Sequence, residues 1–312
     1  MEYVPCPISN STTFTPWLTV FDRFDHLQAN YWELVQSCES GLVMLNPRPD
    51  STEIAKHYPD GEYEPYFFIN KNVTLVQKVM LTARSLLLHY KTHLIFTKTI
   101  KPSHQHTLLE IGCSTGELLH FCQRHKGIPV KNIAGVESHA PSAEYARKKF
   151  GLKVTTLLQH NEVKKFDRIV LWHTLEHIHA LHETLHTLKE LLAPDGIMVV
   201  TLPNHACGSA KRYKKNWIAY DAPRHLYHFL PETLAKLLDQ HELIITKRST
   251  YFPDALYNNL YSEQLACKRS GGGFHILRIA SAIIRGSMDA ISGIIDPNHA
   301  DTLVYFIKKS QR

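Results

Sequence analysis

The 312-residue chain predicts a doubly wound α/β fold. We read a seven-stranded, mostly parallel sheet with helices on both faces, a small N-terminal module in front of it and a helical insertion before the last strand. Three observations carry this reading. Between residues 106 and 202 short apolar runs alternate with segments of helical periodicity, and strands alternating with helices imply parallel pairing through right-handed crossovers. A glycine-containing turn, Gly112 to Gly116, joins the first run to the first helix of that series. Two more strand-like runs, 243–250 and 302–308, enclose a pair of apolar helical segments.

The elements follow in order. Residues 1–72 are rich in aromatics, proline and polar residues, with strand-like pieces at 32–35 and 42–45 before Asn46-Pro-Arg-Pro breaks the chain. Val76, Val79, Met80, Leu86, Leu87 and Ile95 recur at helical spacing, so 74–97 reads as a helix that opens the main domain, 73–312. Strands are expected at 107–111, 133–136, 152–158, 168–172 and 197–202, with helices near 116–126, 141–149 and 180–192. Leu191 to Gly196 reads as the turn before the fifth strand. After a long loop Pro231 opens a helix to about 241, because a proline N–H is not needed in the first turn. Residues 255–295 read as helices broken at Gly271-Gly272-Gly273.

Composition narrows the function. An apolar fraction of 44% permits a sizeable core. The charge of +6 is modest and spread out, and basic residues are not interleaved with aromatics, which speaks against a nucleic-acid partner. The densest basic stretch, Lys211 to Lys215, reads as a solvated loop, with a site for an anionic substrate as the alternative. Six scattered cysteines suggest no disulfide framework. No basic region followed by an apolar run stands at the start, and Arg278, Arg285 and Asp289 interrupt the apolar stretch 276–295. We therefore expect neither signal peptide nor transmembrane segment, and a cytoplasmic protein.

The chemistry concentrates at three places. First, Glu110-Ile-Gly112-Cys113-Ser114-Thr-Gly116 lies where strand meets helix, and Glu137 ends the next strand 27 residues later. Glycines let the backbone approach a ligand, and a carboxylate at that second strand end can grip a ribose diol. Second, His173-Thr-Leu-Glu176-His177 follows the fourth strand. It is also a His-x-x-Glu-His string, but that zinc-protease pattern needs a helix, and a strand runs into it here. Third, Trp217 to Phe229 gathers Tyr220, Asp221, Pro223, Arg224, His225 and His228 in one loop.

These motifs resemble class I S-adenosylmethionine-dependent methyltransferases, a Rossmann-like family whose first motif runs acidic-x-Gly-x-Gly-x-Gly; Ser114 replaces the middle glycine. Leu175-Glu176-His177, Leu191 to Gly196 and Leu202-Pro203-Asn204 also match that family. The resemblance implies S-adenosyl-L-methionine as cofactor and S-adenosyl-L-homocysteine as product. It assigns Glu110, Gly112, Cys113, Ser114, Gly116, Trp172 and His173 to cofactor binding, Glu137 to the ribose, and Gln159 to the adenine. The Pro-Arg-His loop resembles one subgroup's acceptor loop, with His225 as base, Tyr220, Arg224 and Asp221 orienting the acceptor or His225, and His177 on the acceptor side. The same subgroup often carries an N-terminal zinc knuckle. Here Cys6, Ser9, Ser37 and Ser40 stand at the ligand positions, so no metal is expected and hydrophobic packing should replace it. Tyr63 and Tyr66 are lid residues by the same comparison. The expected acceptor is a small molecule, anionic or sugar-linked. The helices of 255–295 are open between a cap over the acceptor, a homodimer contact and a membrane-surface contact. A methyltransferase-like protein that binds cofactor or partner without turnover is the alternative, and a zinc hydrolase a more distant one.

Overall fold

The computed structural model describes residues 1–25, 30–58, 75–97, 104–158 and 165–310; side chains are not described at 75–83 and 97. The chain opens with three antiparallel strands, β1 (Phe14–Phe21), β2 (Tyr31–Ser37) and β3 (Val43–Leu45). A 23-residue helix α1 (Leu75–Thr97) leads into β4 (Leu108–Ile111), α2 (Glu117–Lys126), β5 (Ile133–Val136), α3 (Ala140–Phe150) and β6 (Lys153–Thr155). The second half runs through β7 (Phe166–Trp172), α4 (Leu181–Leu191), β8 (Leu192–Pro203), α5 (Gly208–Tyr213), β9 (Tyr227–His228), α6 (Pro231–Asp239) and β10 (Leu243–Thr250). It ends with α7 (Pro253–Arg269), α8 (Ile276–Ile295) and β11 (Thr302–Lys309).

The main sheet has seven strands in the order β10-β11-β8-β7-β4-β5-β6, and it is the α/β architecture the alternation predicts. β4 pairs in parallel with β5 on one side and β7 on the other, and only β11 runs against its neighbours. Crossovers leave β4 in opposite directions, so a crevice opens at its carboxyl end, where such folds take their ligands. All four residues of β4 are buried, as a central parallel strand covered on both faces requires.

Several expectations are corrected. β1 escapes detection because it is an edge strand with little buried alternation and a bulge between Pro16 and Leu18. Of the turn expected at 191–196, Leu191 ends α4 and 192–196 belong to β8, whose ladder with β7 slips between Phe166 and Arg168 to absorb the extra residues. The basic stretch 211–215 starts on the short helix α5 rather than in a loop. Of the expected apolar face of α1, Ile95 is buried while Leu86 and Leu87 are exposed.

The smaller sheet has the order β1-β2-β3-β9, so the acceptor loop supplies its last strand: Val43 pairs with His228 and Met44 with Tyr227. The four knuckle positions do converge. Cys6 Sγ lies 3.1 Å from Ser40 Oγ, and Ser9 Oγ 3.4 Å from Ser37 Oγ, while the N–H of Leu42 donates to Ser40 Oγ. The thiol–hydroxyl cluster lies within apolar packing, with Cys6 in the core cluster that holds Leu42 and Val43. The buried hydroxyls and thiol pair with one another because polar groups taken out of water need hydrogen-bond partners.

α8 packs on α7 through small residues. A Cβ at Gly286 would sit 2.9 Å from Leu256 Cα, so the helices touch backbone to backbone. Its large residues point away: Ile276, Leu277, Ile284, Met288, Ile294 and Ile295 are each 60% exposed or more. Among the described residues no helix is long and apolar enough to cross a membrane.

Candidate active site

The turn after β4 is tied to the end of β5. The N–H groups of Gly112 and Cys113 both donate to the Val136 carbonyl, and Ser114 N–H donates to Glu137 Oε2 at 2.8 Å. His139 N–H fills the other oxygen, Oε1, also at 2.8 Å. Gly112 has φ +70°, and a Cβ there would lie 2.5 Å from Thr174 Oγ1. Ser114 also has positive φ, 48°, a region that favours glycine, which the related motif carries at this place.

A cavity of about 470 Å³ opens on this turn, within the size range of small-molecule sites. Of the residues expected in the site, Glu110, Gly112, Cys113, Ser114, Trp172, His173, His177, Asp221 and His225 line it. Gly116 and Glu137 are not among its lining residues; Glu137 is tied to the turn by the Ser114 N–H. Gly116 lets it pack on α3, since a Cβ there would meet Leu152 and Ala146 below 3 Å. Tyr220 and Arg224 stand behind the loop. Tyr220 packs edge-on against Trp17 and Trp217, and burial raises its phenol pKa. Arg224 is fully buried and donates to Asp22 at 2.8 Å and to Asp221 at 2.6 Å. Tyr63, Tyr66 and Gln159 lie outside the described residues.

The electrostatics divide the cavity. Near the turn, burial raises the Glu110 pKa and lowers that of Lys91, each opposed by the other's charge. The Lys91 ammonium lies 4.3 Å from the centre of the Trp172 ring. His173, at φ +50°, places Nε2 2.8 Å from Asp254 Oδ2 and Nδ1 3.5 Å from Glu176 Oε1. Burial disfavours its charge, but Asp254 and Glu176 outweigh that and raise its pKa to about 9. Burial likewise opposes ionisation of Asp221, yet Arg224 and Arg23 hold it well below the usual carboxylate range.

At the far end His177 and His225 meet with ring centres 4.6 Å apart. His225 Nδ1–H donates to the Ala219 carbonyl at 2.8 Å, and His177 Nδ1–H to the Arg224 carbonyl at 3.0 Å. Both Nε2 lone pairs are thereby left for other partners. Burial keeps both rings neutral, lowering His177 to about 4 with help from His225. Glu176 sits beside them, 1% exposed.

Sequence reasoning missed the opposite wall. Arg84 and Lys91 reach it from α1, and Asp254, Tyr257 and Asn258 from α7. The last three sit at i, i+3 and i+4, a polar stripe on an otherwise ordinary helix, and that spacing is the signal that could have found them.

A family profile described as a methyltransferase domain matches residues 82–247. No curated protein matches the chain in sequence. Among solved structures, the [4+2]-cyclase SpnF is 15% identical with a TM-score of 0.51, covering 85% of this chain and 98% of its own. The mycolic acid cyclopropane synthase CmaA1, solved with S-adenosylhomocysteine, is 17% identical with a TM-score of 0.46, over 70% and 83%. Magnesium protoporphyrin IX methyltransferase from Synechocystis, also with that product bound, is 14% identical with a TM-score of 0.46, over 64% and 92%. The first of these shares the fold and carries another reaction in its name, so fold alone does not choose the chemistry. The family profile spans more than half of the chain, over the glycine turn, the fourth-strand string and the histidine loop, and the chain belongs to the methyltransferase-domain family.

Proposed function

We propose that this protein transfers a methyl group from S-adenosyl-L-methionine to a small-molecule acceptor, releasing S-adenosyl-L-homocysteine. The observation that carries the reading is continuity: one cavity runs from the glycine turn to His177 and His225. The turn holds the methionine end of the cofactor. Glu137 has two of its roughly four lone-pair sites taken by backbone N–H groups, which leaves acceptor capacity for a ribose hydroxyl. The family resemblance gives Tyr63 and Tyr66 the role of lid residues and Gln159 that of the adenine contact. Alignment of sulfonium and acceptor supplies most of the rate, and His225 Nε2 receives the acceptor proton. Tyr220, Arg224 and Asp221 hold the loop that carries it. Cavity cations Arg23, Arg84 and Lys91 are matched by Glu110, Glu117, Asp221 and Asp254, which favours a sugar-linked acceptor over a strongly anionic one. Residues 1–72 form the N-terminal module and 73–312 the catalytic domain of a cytoplasmic protein, with the bare face of α8 as the contact of a homodimer.

The test is calorimetric titration with S-adenosylhomocysteine. Wild type and His225→Ala bind alike, with His225→Ala slower in turnover. Glu137→Ala binds more weakly by about 1.5–3 kcal/mol, the worth of a charged hydrogen bond. Absence of binding to the wild type removes the reading and leaves a partner-binding role.

A further inference from the structure

We propose that Glu176, His177 and His225 hold a divalent transition-metal ion at the acceptor end of the cavity. The acceptor chemistry rests on the methyl-transfer reading; the site rests on its own geometry. One ligand atom from each residue lies within 4.8 Å of the others. Metal–nitrogen bonds of about 2.0–2.1 Å in a tetrahedron require roughly 3.3 Å, so the ligands would close in on the ion when it binds. Glu176 is 1% exposed, and neither carboxylate oxygen has a hydrogen bond among the described residues. Oε1 faces His173 Nδ1, and the buried Oε2 is left to a further cation. His173, 3.5 Å away, spends its other nitrogen on Asp254.

The two imidazoles are set for the same task. Each gives Nδ1–H to a backbone carbonyl, which fixes the tautomer and presents the Nε2 lone pair, as metal-bound histidines do. Two imidazoles, one carboxylate and a fourth position open to a cavity make the donor set of catalytic zinc and facial-triad sites, whereas calcium and magnesium take oxygen. His177 and His225 both face the cavity, so the open position faces the acceptor.

A hydroxyl oxygen of the acceptor fills that position. The ion lowers the hydroxyl pKa and its proton leaves to water. The oxygen electron pair forms the bond to the methyl carbon as the carbon–sulfur bond breaks onto sulfur, turning the sulfonium into a neutral thioether. With the ion bound, His225 serves as a ligand and water takes the proton that the metal-free site gives to His225 Nε2; the acceptor class is a hydroxyl compound.

The experiment strips the full chain with a chelator and titrates it with Co²⁺. The expected result is one equivalent bound with a visible ligand-field band, weakened tenfold or more in Glu176→Gln and in His177→Gln, and unchanged in His182→Gln, which alters the surface His182–His241 pair. Circular dichroism confirms folding of each variant. Equal Co²⁺ binding by wild type and both ligand variants overturns the proposal. Were the variants to unfold, Zn²⁺ raising the wild-type melting temperature at one equivalent supports the site, and an unmoved melting temperature overturns it. S-adenosylhomocysteine titrated into the same stripped proteins separates the two claims: its failure to bind a wild type that still takes up Co²⁺ removes methyl transfer and keeps the metal.

Discussion

Gly112→Ala tests the turn at its tightest point. At φ +70° an alanine pays the left-handed cost, about 1–2 kcal/mol. Its Cβ would also lie 2.5 Å from Thr174 Oγ1 and 2.9 Å from Cγ2, so Thr174 must turn away. Its hydroxyl now faces the carbonyls of Ile111 at 3.1 Å and Trp172 at 3.2 Å, and it has one proton to give. Losing that bond costs about 0.5–1.5 kcal/mol. The sum is about 1.5–3.5 kcal/mol, read as a lower urea midpoint at unchanged m-value. Thr174→Ala removes Oγ1 and Cγ2 and leaves Cβ at 3.3 Å. The double variant should therefore regain about 1 kcal/mol relative to the sum of the singles. Additivity within about 0.5 kcal/mol would show that the two side chains do not share this space and refute the reasoning.

Arg224→Met leaves Asp22 without its bidentate partner and Asp221 with Arg23 alone, all in the interior, and should cost about 3–5 kcal/mol in chemical denaturation. A loss below 1 kcal/mol would mean that water reaches the group. His173 titrates near pH 9 in the fold against about 6.5 in the unfolded chain, so its stabilisation is complete below pH 6.5 and drains as pH rises through 9. Melting temperature should accordingly fall between pH 7 and 9.5, and fall less in Asp254→Asn; an equal fall in both removes the pair as the cause. Ile284→Glu combined with Ile291→Glu should give a monomer by sedimentation velocity if α8 joins two copies. A sedimentation coefficient equal to the wild type's discards the homodimer.

The sheet was legible because its central strands are buried on both faces and its helices are amphipathic: periodicity reports burial. Edge elements were not. β1 pairs on one side and shows little buried alternation, and β9 is two residues long and is defined by a partner near residue 43, a contact no local window contains. The site divides the same way. The glycine turn is a local motif and was readable residue by residue. The wall from α7 was hidden because polar side chains at helical spacing look alike whether they face solvent or a cavity. The His-x-x-Glu-His string was read for its own spacing, which a strand spoils. The structure instead sets Glu176 and His177 against His225, 48 residues further on, and that meeting belongs to the fold.

Strand β9 lends two residues of the histidine loop to a sheet made otherwise of the first 45. The placement of His225 is thus governed by residues about 180 positions away in sequence. A graft of residues 1–58 from a related protein should retune which acceptor fits and leave the cofactor half untouched, whereas deleting them should slacken the loop and abolish selectivity before it abolishes the Rossmann core.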